Sequence, residues 1–257
     1  MSGPGTGAGR RRVALVTGGS RGIGAATARV LASRGYAVCV NYVARQDAAD
    51  AVVSAIRDAG GEAVAVRADV GVERDVERLF ATCDAELGAV AALVNNAGTL
   101  ERQMRVETMD AARLLRVFTA NVVGSILCAR EAVRRMSTAR GGAGGAIVNV
   151  SSAASRLGSA GEYVDYAAAK GAIDTFTIGL AQEVAQEGIR VNAVRPGFIY
   201  TDIHALGGEP GRVDRVKAVV PMRRGGTAGE VAHAIAWLLS DEASFTTGAF
   251  LDVAGGR

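Results

Sequence analysis

Short apolar runs rich in Val, Ala, Ile and Leu recur at 13–17, 37–41, 63–66, 91–94, 146–150, 189–194 and 249–253. Within them the apolar residues are nearly continuous rather than alternating, which marks strands buried on both faces. Between the runs apolar positions return at helical spacing, as at Leu114, Phe118, Val122, Ile126 and Ala129. This alternation predicts βαβ units, and so an α/β fold: one Rossmann-like, doubly wound domain. Its sheet should be mostly parallel and seven-stranded, with helices on both faces. No break in composition divides the chain, so the domain is expected over 13–257, after a flexible lead-in at 1–12. The glycine-rich stretch 141–145 falls between a helix and a strand and reads as a loop. The segment 198–221 interrupts the alternation with Gly207, Gly208, Pro210 and Gly211. It is too long for an ordinary connection and is expected to form a lid over a ligand.

Composition narrows the function classes. A chain of 257 residues, 49% hydrophobic and 21% charged, can bury a large core. The net charge is only +3, and the one basic cluster, Arg10-Arg11-Arg12, precedes a strand, so no nucleic-acid partner is expected. No run approaches the roughly 18 apolar residues of a membrane span, so no membrane partner is expected either. Cys39, Cys83 and Cys128 are odd in number and form no CxxC pair, and His204 and His233 are the only histidines. Neither a disulfide framework nor a metal site is indicated. The first nine residues lack the apolar stretch of a signal peptide. The expected compartment is the cytoplasm.

Two motifs carry chemistry. Thr17-Gly18-Gly19-Ser20-Arg21-Gly22-Ile23-Gly24 follows the first run and opens a helix. Gly18, Gly22 and Gly24 form a variant of the dinucleotide fingerprint. Such a turn lets the backbone approach a pyrophosphate, and the helix N-terminus offers free N–H groups to it. The second run ends Asn41-Tyr42 with no carboxylate to grip a ribose 2′-hydroxyl, while Arg21 and Arg45 could meet a 2′-phosphate. NADP(H) is therefore favoured, with NAD(H) possible. The second motif is Tyr166-Ala167-Ala168-Ala169-Lys170, whose four-residue spacing puts both ends on one helical face. Lys170 is one of two lysines among 29 Lys and Arg residues. Chance would place a lysine four residues after one of the five tyrosines about 4% of the time. An ammonium beside a phenol would favour the phenolate.

Together these residues resemble the classical short-chain dehydrogenase/reductases, and the likeness runs through nearly the whole chain after Arg12. Asn95-Asn96-Ala97-Gly98 is similar to the family's NNAG signature. Ser152, Tyr166, Lys170 and Asn121 match its catalytic tetrad, although the stretch from Ser152 to Tyr166 is one residue longer than usual. The resemblance implies hydride transfer between a nicotinamide cofactor and a small carbonyl or secondary alcohol, and the NADP(H) preference leans it toward reduction. It implies that Tyr166 exchanges the proton and Ser152 holds the substrate oxygen. Lys170 would bind the nicotinamide ribose and depress the Tyr166 pKa, and Asn121 would hold a relay water. The implied cofactor contacts are Gly18, Ser20, Arg21, Gly22, Ile23 and Gly24 in the turn, and Asn41, Tyr42 and Arg45 after the second strand. Further along they are Asp69 and Val70 at the adenine, Asn96, Ala97 and Gly98, then Tyr166 and Lys170. Pro196, Gly197, Ile199 and Thr201 would hold the nicotinamide end. Asp69 could instead cap its turn, Ser151 should point away from Ser152, and His204, in the lid, reads as solvated rather than as a substrate contact. Trp237 is assigned to the core or a subunit interface. The family also implies a homotetramer paired through the long helices. The alternatives are a cofactor-sensing binding protein without catalysis, and an epimerase or dehydratase on the same fold.

Overall fold

The computed structural model describes residues 11–257, so most of the expected lead-in at 1–12 lies outside the described residues. Seven strands form one sheet: β1 (Val13–Val16), β2 (Ala37–Tyr42), β3 (Glu62–Arg67), β4 (Val90–Asn95), β5 (Gly145–Val150), β6 (Ile189–Pro196) and β7 (Phe250–Val253). Their order is β3-β2-β1-β4-β5-β6-β7, and every pairing is parallel. The expected sheet was mostly parallel; the observed one is wholly so. The order reverses direction at β1, between β2 and β4. In open α/β sheets the crevice beyond the strand ends at such a point is where ligands bind.

The helices are α1 (Gly22–Ser33), α2 (Gln46–Asp58), α3 (Glu73–Glu86), α4 (Ala111–Phe118), α5 (Gly124–Met136), α6 (Ala154–Leu157), α7 (Val164–Val184), α8 (Ile203–Leu206), α9 (Arg212–Val216) and α10 (Ala228–Leu239). The strand pleat divides the core into two layers. Val16, Val38, Val40, Val94 and Val148 pack towards α1, α2 and α10, against Leu31, Ile56 and Ile235. Their neighbours Leu15, Cys39, Leu93 and Ile147 pack on the other face, against Leu79, Phe80 and Met136 of α3 and α5. Alternate side chains of one strand thus serve opposite cores, which is why the runs are apolar at every position.

The cysteines are distant in sequence, yet Cys39 and Cys83 meet across this second core. Both thiols are buried and free, and the neighbouring Cys83 thiol together with burial pushes the Cys39 thiol well up.

α4 and α5 are one helix joined by a π-helical turn, Thr119–Val123. This continuous element, Ala111–Met136, is the one helix among the described residues long and apolar enough to cross a membrane, with a mean hydropathy of 1.4 over its best 18 residues. Its buried side packs on α3, α7 and β4, and its Arg113 is buried in an ion pair with Asp165.

Candidate active site

The glycine turn is assembled by side chains from three strands. Thr17 Oγ donates to Val94 O and accepts from the backbone N–H groups of Asn96 and Ala97 (3.0 and 2.9 Å). Asn96 Nδ2 donates to the carbonyls of Thr17 and Gly18. Asn41 Oδ1 accepts from Gly18 N at 3.1 Å, while its amide nitrogen reaches Ala68 O at 2.9 Å. Asn41 and Asn96 thus hold the turn in shape. Tyr42, at the end of β2, is buried.

The glycines are sterically required. Gly18 takes φ +60°, and a Cβ there would stand 3.0 Å from Ala97 Cα. A Cβ on Gly24 would lie 2.3 Å from Gly18 O, so the helix could not approach the turn with any side chain there. The resulting cradle keeps backbone, with no Cβ, facing the end of the sheet. It suits a pyrophosphate and fits a dinucleotide cofactor.

The rim is more varied. Arg21 and Arg45 are both exposed. Arg45 is engaged by Asp47, two residues on, through two hydrogen bonds of 3.0 and 2.8 Å. That contact holds the Asp47 carboxyl down at about 2, so a carboxylate does stand near the end of β2. Asp69 Oδ1 accepts from Gly71 N at 2.9 Å, which is the capping alternative, and Val70 is buried against Gly124. Ile23, Asn96, Gly98, Pro196, Gly197, Ile199 and Thr201 line a cavity of about 450 Å³. The Thr201 methyl lies opposite Gly22, where a Cβ would come within 3.4 Å. The two ends of the expected cofactor track therefore meet. Ser20 is partly exposed at the turn.

Asn121, Ser152, Tyr166 and Lys170 line the same cavity. The longer span between Ser152 and Tyr166 passes through α6 and a turn in which Gly158, Ser159 and Gly161 take positive φ. It leaves both residues lining the cavity, with Ser152 near enough to act on the Tyr166 hydroxyl. Ser151 points to the other side, donating to Asp174 Oδ1 at 2.6 Å. Lys170 Nζ donates to Val150 O at 2.8 Å and stands 5.5 Å from the centre of the Tyr166 ring.

Burial pushes Tyr166 up to about 12, against a lowering hydrogen bond from Ser152. The expectation that Lys170 depresses this pKa does not hold for the protein alone. Burial instead pulls Lys170 down to about 8, opposed by Asp174 one turn along α7, and its ammonium is directed to a carbonyl. At neutral pH the phenol keeps its proton, which suits a general acid.

Asn121 sits in the π turn. Its Nδ2 donates to Thr99 O and Val117 O (3.0 and 2.9 Å), while its buried Oδ1 has no hydrogen-bond partner. A Cβ built on Gly98 would lie 2.5 Å from that oxygen and 3.6 Å from Lys170 Nζ. The open backbone at Gly98 leaves room between the two groups, and wide helical turns of this kind recur at functional sites.

His204 is not solvated, as its sequence context suggested. It is buried against the cavity, with Nε2 3.0 Å from Ile199 O. A carbonyl can only accept, so Nε2 carries the proton. Burial lowers the His204 pKa, and in the neutral ring the buried, unpartnered Nδ1 is left as an acceptor. The sequence reading also passed over Tyr163, Glu162, Arg212 and Arg257, which line the cavity's far side. It missed the buried pair that anchors the start of α7: Arg113 Nε donates to Asp165 Oδ2 at 2.7 Å, next to Tyr166.

A doubly wound sheet with a glycine cradle at its switch point, opening on a Ser-Tyr-Lys cluster, is the architecture of a nicotinamide-dependent oxidoreductase. Comparison with known proteins gives the family. A family model described as enoyl-(acyl carrier protein) reductase matches residues 18–257. An uncharacterized oxidoreductase of Escherichia coli K12, YgfF, is 62% identical over 95% of this chain and 99% of its own length. The cis-4-hydroxycyclohexanecarboxylate dehydrogenase of Sinomonas cyclohexanicum is 45% identical over 95% and 96%. Among solved structures, a short-chain dehydrogenase from Burkholderia cenocepacia in complex with NADP superposes with a TM-score of 0.87 at 31% identity, covering 96% of this chain and 97% of that one. The chain belongs to the short-chain dehydrogenase/reductase family and is an oxidoreductase acting on CH–OH or C=O groups.

Proposed function

We propose that this protein reduces a small carbonyl compound to a secondary alcohol with NADPH, using Tyr166 as proton donor. The observation that carries the reading is the meeting of Ser152, Tyr166 and Lys170 in one cavity beside the glycine cradle, where burial favours the protonated Tyr166 hydroxyl. The bound nicotinamide supplies the hydride. Tyr166 gives its proton to the substrate oxygen, which Ser152 holds by a hydrogen bond as charge develops on it. Lys170 orients the cofactor ribose and, with a water on Asn121 Oδ1, returns a proton to Tyr166. Gly18 to Gly24 hold the pyrophosphate. Asp69 and Val70 flank the adenine, and Pro196 to Thr201 flank the nicotinamide amide. Arg21 and Arg45 take the 2′-phosphate, with Asp47 displaced from Arg45. The Burkholderia relative's NADP complex supports this preference. The Sinomonas relative's named substrate supports an alcohol on a small ring.

The segment 198–221, with α8 and α9, serves as the lid over the substrate. The assembly is a homotetramer in the cytoplasm. Leu115, Phe118, Val123, Ile126 and Ile178 are exposed on the long helices, forming an apolar face of the kind that subunits bury. Light scattering should give a four-subunit mass, and a monomer would exclude that assembly.

The test of function pairs turnover with thermal unfolding. NADPH at one hundred times its dissociation constant should stabilise the fold by about 2.7 kcal/mol, and NADH at the same concentration by clearly less. Tyr166→Phe should keep the NADPH shift and lose about 10³-fold in turnover. Near-wild-type turnover in that variant would remove Tyr166 from the chemistry.

A further inference from the structure

The cavity's far side carries more positive charge than its fold requires. Arg212 is 7% exposed, yet it lines the cavity. Its guanidinium lies between two rings, 5.0 Å from the centre of Tyr163 and 5.6 Å from that of Phe198. Glu162 takes its Nη2. Its Nη1 is buried with no hydrogen-bond partner, the nearest carboxylate oxygen being Glu209 Oε2 at 3.6 Å. Arg257 also lines the cavity, with its guanidinium 5.0 Å from the centre of the same Phe198 ring. It makes no ion pair among the described residues.

The charges near this wall do not balance. Glu162 and Glu209 serve Arg212 and Arg215 together, and Arg156 is paired with Asp252 at 3.1 Å. Among these side chains Arg257 is the cation left over, while its carbonyl oxygen accepts from Arg156 Nη2 at 3.2 Å. Two guanidinium groups flank one aromatic ring, held by attraction to its π face while repelling each other. An anion reaching both would relieve that repulsion and give the buried Nη1 the acceptor it lacks. The remaining cavity surface is largely apolar, with Leu100, Leu157, Ile203, Val216 and Val219.

We propose that the Arg212–Phe198–Arg257 wall binds a carboxylate carried by the substrate. The substrate would then be a small oxo or hydroxy acid whose apolar body spans from Tyr166 to the arginines. This rests on the reading of Tyr166 as the proton donor, which fixes where the reacting oxygen lies. The wall selects among carbonyl compounds by what they carry away from the reacting centre.

Calorimetry with two probes of one shape tests it: cyclohexanecarboxylate and cyclohexanecarboxamide, each added to the NADP-bound protein. The carboxylate should bind at least about tenfold more tightly. That advantage should shrink to near parity in Arg257→Gln, an exposed position where the fold has least to lose. Arg212→Gln should do the same, but it strands Glu162, so Arg257→Gln carries the decision. Equal binding of the two probes, no binding of the carboxylate, or an undiminished advantage in Arg257→Gln would overturn the proposal. In parallel, turnover of 4-oxocyclohexanecarboxylate and its amide should show the same preference. Tyr166→Phe should keep the carboxylate's binding advantage and lose turnover of both. A Tyr166→Phe protein that binds selectively and still turns over would leave the wall standing and refute the proton-donor reading instead.

Discussion

The cofactor cradle and the substrate wall, two ends of one cavity, satisfy their polar groups in opposite ways. In the cradle, Thr17, Asn41 and Asn96 spend their side chains on backbone groups of the turn and of neighbouring strands. At the substrate end, Asn121 Oδ1, His204 Nδ1 and Arg212 Nη1 are buried without hydrogen-bond partners. Buried polar groups are almost always paired. The cradle is therefore a finished surface that a cofactor meets ready-made, while the wall is complete only with a ligand. The ends also differ in what fastens them. Neutral hydrogen bonds hold the cradle, and ion pairs hold the wall and its support: Arg113 with Asp165, Arg212 with Glu162, and Arg195 with Asp174.

The sharpest way to break this contrast is at Arg113. Its side chain and that of Asp165 are almost fully buried, and they anchor α4 to the start of α7. Arg113→Leu leaves a buried carboxylate without its partner, which should destabilise the fold by about 3–5 kcal/mol. Removing both charges with Leu at 113 and 165 should recover much of that loss, because the penalty lies in the stranded charge. Chemical denaturation reads both values. An unchanged midpoint for the single variant would mean that ion pairing does not support this end.

A smaller effect is expected at the cradle. Thr17→Val keeps the shape but removes an oxygen that accepts two backbone N–H groups. Ala97 N–H then loses its acceptor while Asn96 N–H keeps Val94 O, at a cost of about 1–2 kcal/mol, and NADPH affinity should fall with it. A Thr17→Val protein of wild-type stability would show that the turn keeps its form without this staple.

The same contrast decides what could be read from the amino-acid sequence. Strands buried on both faces leave continuous apolar runs, so the seven strands were visible to within a residue or two. The cradle was visible because backbone contact excludes every residue but glycine at Gly18 and Gly24. Lys170 stood out because arginine supplies nearly every other positive charge. The wall was hidden for the converse reason. Arg212 and Glu162 are 50 residues apart, and Arg113 and Asp165 are 52. Among 29 basic and 26 acidic residues no local pattern marks those partners. The π turn around Asn121 leaves no sequence mark either, since its residue types suit an α-helix equally. The Arg45–Asp47 contact was local enough to anticipate, and it tempers the simple picture of a free arginine awaiting a phosphate.

Lys170 sits where the two ends meet, and it should show the smallest effect near neutral pH, growing only above about pH 8 in two opposed readouts. Burial pulls its ammonium down to about 8, while Tyr166, pushed up to about 12, keeps its proton across the working range. Reduction should hold steady from about pH 6 to 8, then decline by up to tenfold per unit as Lys170 loses its charge. Stability should move the other way. An unfolded lysine titrates near 10.5, so between about pH 8 and 10.5 the unfolded chain binds the extra proton. Stability from this group therefore rises with pH in that window, by about 1.4 kcal/mol per unit. Comparing the wild type with Lys170→Met at each pH cancels the other titrating groups and isolates the term. A stability difference that stays flat across the window would mean that Lys170 is better solvated than its burial implies. The decline in activity would then have to come from another group.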